Sequence, residues 1–524
     1  MEKIWQVLVL ISFVGYGFAQ LKKELHMMQL NSYRNSRYRR WTQKNLNQKF
    51  TFSIFLLVTG GGLVLLQVAL VPAYIGWIGG ASLGAYRLLT EKHKKKLVFT
   101  RRSKTLFFTS IGVFVALAVT LALTLPLRFV MLGWALMIFM TFVWLIVANF
   151  LLIPVERRIA QWYKDDAKKI LKSMPHLKVI GITGSYGKTS VKHFLTRILS
   201  EKYNVVMTPG SYNTPMGVTI TVRNHLKPIH EVFVCEMGAK QIGDIKELCD
   251  LANPEIGILT AVADQHLDTF GSIANVQKGK FELMDALPAH GMGYLNFDYE
   301  YVLNHAPIAH VANQAYSLNQ QTDYQAKDIA YTAKGMKFSV YYQQEKVLDL
   351  ETKLMGEANI SNILVCCAVA LQLEVPTKSI QFAVKNLQPV KHRMELKRNP
   401  GGITILDDAF NSNPTGAKMA LEVLKKIEGG QKVIITPGMI ELAEKEHELN
   451  CILGEQIADH VDYAILVGPK QTLPIQEGLR NKNYPEDRLY IAQNLTDANQ
   501  HLMQIAKAGD VVLYENDLPD TFNE

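Results

Sequence analysis

The stretch Val179-Ile180-Gly181-Ile182-Thr183-Gly184-Ser185-Tyr186-Gly187-Lys188-Thr189-Ser190 constrains this 524-residue chain most. It reads as a β-strand, a glycine-rich turn and the first turn of a helix, ending in Gly-Lys-Thr. Glycines let the backbone close round a phosphate group. The N–H groups at the helix start, the Lys188 ammonium and a Thr189 hydroxyl able to reach Mg²⁺ supply the binding chemistry. The strict pattern G-x-x-x-x-G-K-[ST] needs glycine at position 182, which is isoleucine, so this is a variant P-loop.

The element starts shortly after a block of apolar runs at about 4–20, 51–70, 72–90, 105–126 and 129–153. Each approaches or reaches the ~20 residues that cross a bilayer. Charge separates the same two parts: residues 1–175 hold 24 Lys and Arg against 6 Asp and Glu, and the remainder 32 against 41. The basic excess therefore belongs to the membrane-proximal part, where it reports topology and contact with anionic lipids rather than nucleic acid. Two basic loops, 21–50 and 91–104 (Lys92, Lys94, Lys95, Lys96, Arg101, Arg102, Lys104), are cytoplasmic by the positive-inside rule. That predicts five spans, an external N-terminus and a P-loop emerging in the cytoplasm. Cleavage of the first run as a signal peptide, near Gly17-Phe18-Ala19, would put the most basic loop outside and is disfavoured.

Residues 155–175 read as a polar connecting helix. Beyond it, strand-like runs at 179–183, 232–236, 256–261 and 293–296 alternate with amphipathic helices near 189–200, 243–251 and 273–287, the signature of a parallel α/β sheet. β-Hairpins are expected over 326–354 and helices at about 359–373 and 376–387. A second α/β cycle, with strands near 402–407, 431–436, 463–468 and 510–514, predicts a separate Rossmann-like C-terminal domain. The expected layout is a transmembrane region at 1–154, a connecting helix at 155–175, a P-loop central domain at 176–387 and a C-terminal domain at 388–524. The five cysteines, Cys235, Cys249, Cys366, Cys367 and Cys451, show no metal-ligand spacing and are expected to be reduced thiols.

Several polar groups sit where the strands of such a sheet should end. Glu236 closes Val232-Phe233-Val234-Cys235 and could hold a Mg²⁺ against nucleotide phosphates. His266 follows strand 256–261, and Lys280 lies on a helix among apolar residues. Asp407-Asp408-Ala409-Phe410-Asn411-Ser412-Asn413-Pro414 follows a strand of the second domain. Taken singly, each has an ordinary structural explanation: a capping glutamate, a core histidine, a snorkelling lysine, an Asx-rich helix cap.

Their order is more specific. Thr183-Gly184-Ser185-Tyr186-Gly187-Lys188-Thr189-Ser190-Val191-Lys192, Asn213-Thr214-Pro215-Met216-Gly217, Glu236-Met237-Gly238-Ala239, His266-Leu267, Lys280, Asn359-Ile360-Ser361-Asn362, Arg393 and Asp407–Pro414 together resemble the Mur ligase family. The MurF branch is most similar: ATP-dependent ligases that add D-Ala-D-Ala to a cell-wall precursor peptide. The resemblance runs from about residue 176 almost to the end. It implies that Gly184, Ser185, Tyr186, Gly187, Lys188, Thr189 and Ser190 wrap the phosphates of ATP, with Lys188 on the β/γ-phosphates and Thr189 on Mg²⁺. It further implies that Glu236 and His266 hold magnesium ions and that Lys280 carries a CO₂-derived carbamate supporting one of them. Asn296 would contact adenine, and Arg393 and Asp407 would close over the nucleotide from the C-terminal domain. The implied reaction has two steps: a carboxylate attacks the γ-phosphate to give an acyl phosphate and ADP, then an amine displaces phosphate to form an amide.

Three departures mark this chain. The apolar block stands where soluble family members carry a domain for a UDP-linked acceptor, so a membrane-associated or lipid-linked acceptor is expected. Gly356-Glu357-Ala358-Asn359 has alanine where the family places histidine. Tyr514-Glu515-Asn516-Asp517-Leu518-Pro519-Asp520 replaces the expected Lys-Gly-Ser, which bears on the amine: a D-Ala-D-Ala-like dipeptide or another amino acid. The expectation is therefore a multi-pass cell-membrane ligase with cytoplasmic catalytic domains acting in envelope synthesis. A poly-amino-acid ligase is the alternative. An export ATPase fits less well, because the spans hold few charges. An inactive scaffold is disfavoured by Lys188, Glu236, His266 and Lys280 occurring together.

Overall fold

The structure, a computed structural model, describes residues 2–31, 33–49, 51–91, 96–306, 308–332, 335–399, 401–409 and 412–517. Lys92, Lys94 and Lys95 of the second basic loop, Phe410 and Asn411 of the Asp407–Pro414 stretch, and Leu518-Pro519-Asp520 lie outside the described residues. The chain divides into two units, residues 1–159 and 160–517, with the division inside the helix Thr141–Lys172.

The first unit is helical, and it corrects the five-span expectation. Two helices, Ile4–Leu30 and Arg101–Thr124, are long and apolar enough to cross a membrane. A third crossing is possible only if Phe129–Phe139 and Thr141–Lys172, bent by 68° at their junction, act as one broken span. By length and composition, the described residues thus hold two such helices, or three if the bent pair is one span. The apolar run 51–70 yields a 14-residue helix, Phe52–Leu65, about 21 Å long at 1.5 Å per residue and short of the ~30 Å hydrocarbon core. The chain turns after it, with Gln67 and Ala69 at φ 57° and 49°. Leu70–Thr90 has the length, but its glycines and Arg87 dilute its apolar character. Those glycines serve close packing. A Cβ on Gly84 would lie 2.4 Å from the Tyr16 ring, and one on Gly60 2.8 Å from the Ala73 carbonyl, so helices approach backbone to backbone as small-residue seams allow.

The second unit holds both α/β cycles. β1 (Lys178–Thr183), β2 (Val205–Met207), β3 (Val232–Glu236), β4 (Ile256–Leu259), β5 (Met292–Asn296) and β6 (Ala312–Ser317) run parallel in the order β2-β3-β1-β4-β5-β6. β7 (Tyr324–Thr332) extends this sheet, and β8 (Gly335–Tyr342) and β9 (Glu345–Thr352) continue it as the expected antiparallel hairpins. β1 and β3 are buried on both faces, which explains why their sequences are nearly unbroken apolar runs rather than alternating ones. The helix Lys188–Leu199 turns Val191, Phe194, Leu195 and Ile198 inward at i, i+3, i+4, i+7 spacing. Each of these side chains contributes roughly 1.5–3 kcal/mol by leaving water. Helix Glu357–Gln372 packs against it, with the Cys366 thiol 3.6 Å from the Val191 carbonyl. All five cysteines are free thiols.

β1 lies between β3 and β4, so the P-loop, Glu236 and the 260–266 loop all issue from adjacent carboxyl strand ends, where open α/β sheets bind ligands. The C-terminal sheet is ordered β10-β11-β15-β12-β13-β14: β10 (Glu395–Arg398) is an antiparallel edge, and β11 (Thr404–Asp408), β12 (Lys432–Thr436), β13 (Tyr463–Val467), β14 (Leu489–Ala492) and β15 (Val511–Glu515) are parallel.

Candidate active site

The P-loop owes its shape to two glycines. Gly184 has φ +148°, and a Cβ there would fall 2.1 Å from Thr260 Oγ1 and 2.8 Å from the Ala261 nitrogen. Gly187 caps the helix Lys188–Leu199 at φ +82°, where a Cβ would meet Asn362 Oδ1 at 2.7 Å. Between them Ser185 donates its N–H to the Ala261 carbonyl (2.8 Å), and the Thr260 hydroxyl is 3.1 Å from the Thr183 carbonyl. The loop is thus pinned to the end of β4. Lys188 Nζ reaches the Ser185 carbonyl at 3.1 Å. Burial, with Arg393 adding to it and Glu236 opposing it, lowers the Lys188 pKa to about 8.

Glu236 is the centre of the charge arrangement. It is almost fully buried, accepts from Asn213 Nδ2 (3.0 Å) and faces Thr189 Oγ1 at 3.2 and 3.3 Å. Its Oε2 pairs with Lys192 Nζ at 2.9 Å, and Lys192 also donates to the Gly210 carbonyl at 2.6 Å. Burial would raise the Glu236 carboxyl, but Lys192 and Lys188 hold it below its ordinary range. Sequence reasoning quoted Lys192 without giving it a role. The signal was present: one helical turn after Lys188, an i, i+4 residue shares its face.

Lys280, on helix Ile273–Asp285, is buried and makes no hydrogen bond or ion pair among the described residues; its ammonium lies 5.9 Å from the centre of the Phe270 ring. Burial and the nearby Lys188 drive its pKa well below the usual lysine value, against Asp244 and Glu282. His266 sits at φ 54°, its Nδ1 2.5 Å from Glu441 Oε2, and Lys240 Nζ is 3.2 Å from Glu441 Oε1. Burial opposes ionisation of Glu441, but His266 and Lys240 pull its pKa down to about 2. Burial also lowers the His266 pKa. Glu441 belongs to the C-terminal sheet's loops, 175 residues away in sequence.

A cavity of about 140 Å³ opens beside the P-loop, lined by Gly187, Thr260, Asn296, Ser361, Arg393 and Asp408 among others. Asn296 donates to the Thr260 carbonyl (3.0 Å) and Ser361 Oγ (3.1 Å), which orients its amide at the cavity wall. Asp407 is not among the lining residues. It accepts from Lys397 Nζ (2.6 Å) and lies 2.8 Å from His392 Nδ1, while its neighbour Asp408 faces the cavity. Successive side chains of a strand point to opposite faces, so at the end of β11 only one of the Asp pair can reach the ligand side. Glu515, also on the wall, receives the Ser412 hydroxyl at 2.5 Å and lies within electrostatic reach of Asp408 and Arg393. A smaller cavity of about 60 Å³ lies in the N-terminal unit and holds none of the expected site residues.

These groups fit a nucleotide with Mg²⁺. Thr189 and Glu236 converge beside a loop shaped by Gly184 and Gly187, and Lys188 and Lys192 supply positive charge. Among the described residues no three His, Cys, Asp or Glu side chains gather as a metal cluster. Mg²⁺ does not need one, because it is held by one or two protein ligands together with phosphate oxygens and water.

The fold and site define a P-loop α/β enzyme in which residues of a second α/β domain help line the cavity beside the loop. Residues 182–370 match the Mur ligase middle domain and residues 392–514 the Mur ligase, glutamate ligase domain. The chain belongs to the Mur ligase family, ATP-dependent acid–amino-acid ligases. It is 27% identical over 340 residues to the UDP-N-acetylmuramoyl-tripeptide–D-alanyl-D-alanine ligase of Bacillus subtilis, spanning 64% of this chain and 72% of that protein. It is 31% identical over 294 residues to the Escherichia coli enzyme of the same name, spanning 56% and 64%. The chain thus spans about two thirds of the length of these relatives. The fold is shared with the MurF ligase from Thermotoga maritima in complex with ADP (TM-score 0.61, 24% identity, 68% of this chain and 80% of that one). A pseudomurein peptide ligase type C from Methanothermus fervidus shares it more distantly (TM-score 0.52, 16% identity, 66% and 78%).

Proposed function

We propose that this protein is a membrane-anchored ligase that activates a carboxylate with ATP and joins it to a D-Ala-D-Ala-like dipeptide or amino acid in cell-envelope precursor synthesis. The observation that carries this reading is the meeting of Thr189 and Glu236 beside a glycine-pinned phosphate loop, in a chain similar to D-alanyl-D-alanine-adding ligases. Gly184–Ser190 would bind the β- and γ-phosphates, with Lys188 between them and the attacking carboxylate. Two anions must be brought together, and the cationic residues around Glu236 lower that repulsion. Bound Mg²⁺, held by Thr189, Glu236 and His266, would supply further charge neutralisation. Enclosure by Arg393 and Asp408 from the C-terminal domain would exclude water, which otherwise hydrolyses an acyl phosphate.

Lys280 is suited to carbamylation. Only a neutral amine adds to CO₂, forming a carbamate and releasing one proton, and burial holds Lys280 toward that neutral form. A buried ammonium without a partner is costly, so conversion to an anion that faces a cation removes a penalty.

The acceptor is a membrane-associated, lipid-linked precursor in this reading, with the apolar helices as the anchor and the catalytic domains cytoplasmic. The layout of 1–154, 155–175, 176–387 and 388–524 belongs to the same proposal. The test is ligation by the full-length protein with ATP, D-Ala-D-Ala and either UDP-linked or lipid-linked tripeptide. Preference for the lipid-linked acceptor is expected, and preference for the soluble one overturns the membrane part of the proposal. Loss of all amide formation with every amine tried overturns the ligase reading.

A further inference from the structure

We infer that Glu441 is a positioning residue for His266, supplied across the domain boundary so that the imidazole is set to hold its ion only when the C-terminal domain is docked. The inference rests on the proposed metal role of His266. Glu441 lies in the segment after β12, and its two oxygens are both engaged by the central domain: Oε2 with His266 Nδ1 at 2.5 Å and Oε1 with Lys240 Nζ at 3.2 Å. A carboxylate held between a ring nitrogen and an ammonium can only accept, so Nδ1 carries the proton. Nε2 is then the nitrogen with a free lone pair, and among the described residues it makes no hydrogen bond. Metal-bound histidines carry this arrangement, the second nitrogen donating to a carboxylate that fixes tautomer and ring angle.

The segment is built to present that carboxylate. Glu441 and Ala443 adopt φ 63° and 53°, left-handed conformations that non-glycine residues rarely take. His266 does the same at φ 54°, so the contact joins two strained loops. Lys445 adds a second prong, 3.6 Å from Asp264, two residues before His266. Lys240 matters because it occupies the other oxygen and keeps the carboxylate directed at the ring. Glu236, Thr189 and Lys280 all come from the central domain, and Glu441 brings a C-terminal carboxylate into hydrogen-bonding distance of His266.

The test uses the full-length protein with a non-hydrolysable ATP analogue and Mn²⁺ titrated by electron paramagnetic resonance. Nucleotide affinity without metal is measured separately with a fluorescent analogue. Wild type is expected to bind two ions. Glu441→Ala and His266→Ala should each weaken the same ion 10–100-fold, the double variant should be no weaker than His266→Ala alone, and metal-free nucleotide affinity should stay within about twofold. Glu441→Gln, whose amide oxygen still accepts from Nδ1, should recover most of the loss. Native binding of both ions by Glu441→Ala, with His266→Ala impaired, overturns the inference alone. Loss of nucleotide affinity without rescue by Glu441→Gln also overturns it, because that is the pattern of mere domain undocking. If His266→Ala itself binds both ions normally, the metal role of His266 fails and the inference with it.

Discussion

Lys192→Met separates the charge logic of the site from its shape. The substitution keeps most of the side-chain volume but removes the ammonium 2.9 Å from Glu236, in a pair whose side chains are 0% and 3% exposed. Breaking a buried pair from one side costs roughly 3–5 kcal/mol, because the remaining charge is left in a medium that solvates it poorly. Two observations place this case at the low end. The Gly210 residue that also binds Lys192 is exposed, so its carbonyl finds water, and Lys188 and the Asn213 amide still act on Glu236. About 3 kcal/mol is expected in the absence of nucleotide. Removing the carboxylate as well, in Lys192→Met with Glu236→Gln, should restore at least ~1.5 kcal/mol through the coupling of neighbours. Saturating Mg²⁺ and ATP should restore part of the loss in the single variant by supplying a cation at Glu236. The pair's contribution is present above the ordinary carboxylate pKa and is lost as pH falls, because the folded-state pKa of Glu236 is depressed. The gap between wild type and variant should therefore close in acid. Thermal and urea unfolding of the four proteins in the double-mutant cycle measures this. A single variant within ~1 kcal/mol of wild type, or a coupling below ~0.5 kcal/mol, refutes the view that Glu236 depends on Lys192 for its charge.

Gly184→Ala should raise the ATP dissociation constant at least tenfold, measured by calorimetry, since its Cβ would stand 2.1 Å from Thr260 Oγ1 and the backbone must shift. Lys280→Met should abolish ligation, read as loss of ATP-dependent amide formation. With ¹³C-bicarbonate, wild type should show a carbamate resonance that this variant lacks. Asp408→Asn should raise KM for ATP more than Asp407→Asn, because Asp408 lines the cavity and Asp407 is tied to Lys397 and His392. Glu441, with a folded pKa of about 2, contributes stability that is complete above the ordinary value of 4.5 and disappears as pH falls toward 2. That contribution is on the order of 2–3 kcal/mol, and Glu441→Gln should flatten the acid limb of the stability profile.

Local chemistry was legible where it depended on neighbours in the chain. The Val179–Ser190 stretch and the apolar strand at 232–236 stand where their patterns put them, the strand expected at 256–261 ends at Leu259, and the hairpins expected over 326–354 begin at Tyr324, because glycine freedom and apolar periodicity act over a few residues. Whether an apolar run spans a bilayer was less legible: run 51–70 contains a turn at Gln67–Ala69 that shortens its helix, and composition alone did not mark it. The choice between Asp407 and Asp408 turned on which face of β11 each occupies, which depends on the register set by β15 and β10.

What the sequence by itself determined is the phosphate loop, the alternation of strands and helices around it and the family of ligases to which the chain belongs. What only the tertiary structure decided is who stands beside whom: Lys192 on Glu236, Asp408 rather than Asp407 at the cavity, and Glu441 on His266 across 175 residues. The physical reason is range. Backbone conformation and burial pattern are encoded locally, whereas a charge finds its partner through tertiary packing, which chain spacing reflects at most in part, as with Lys192 one turn after Lys188.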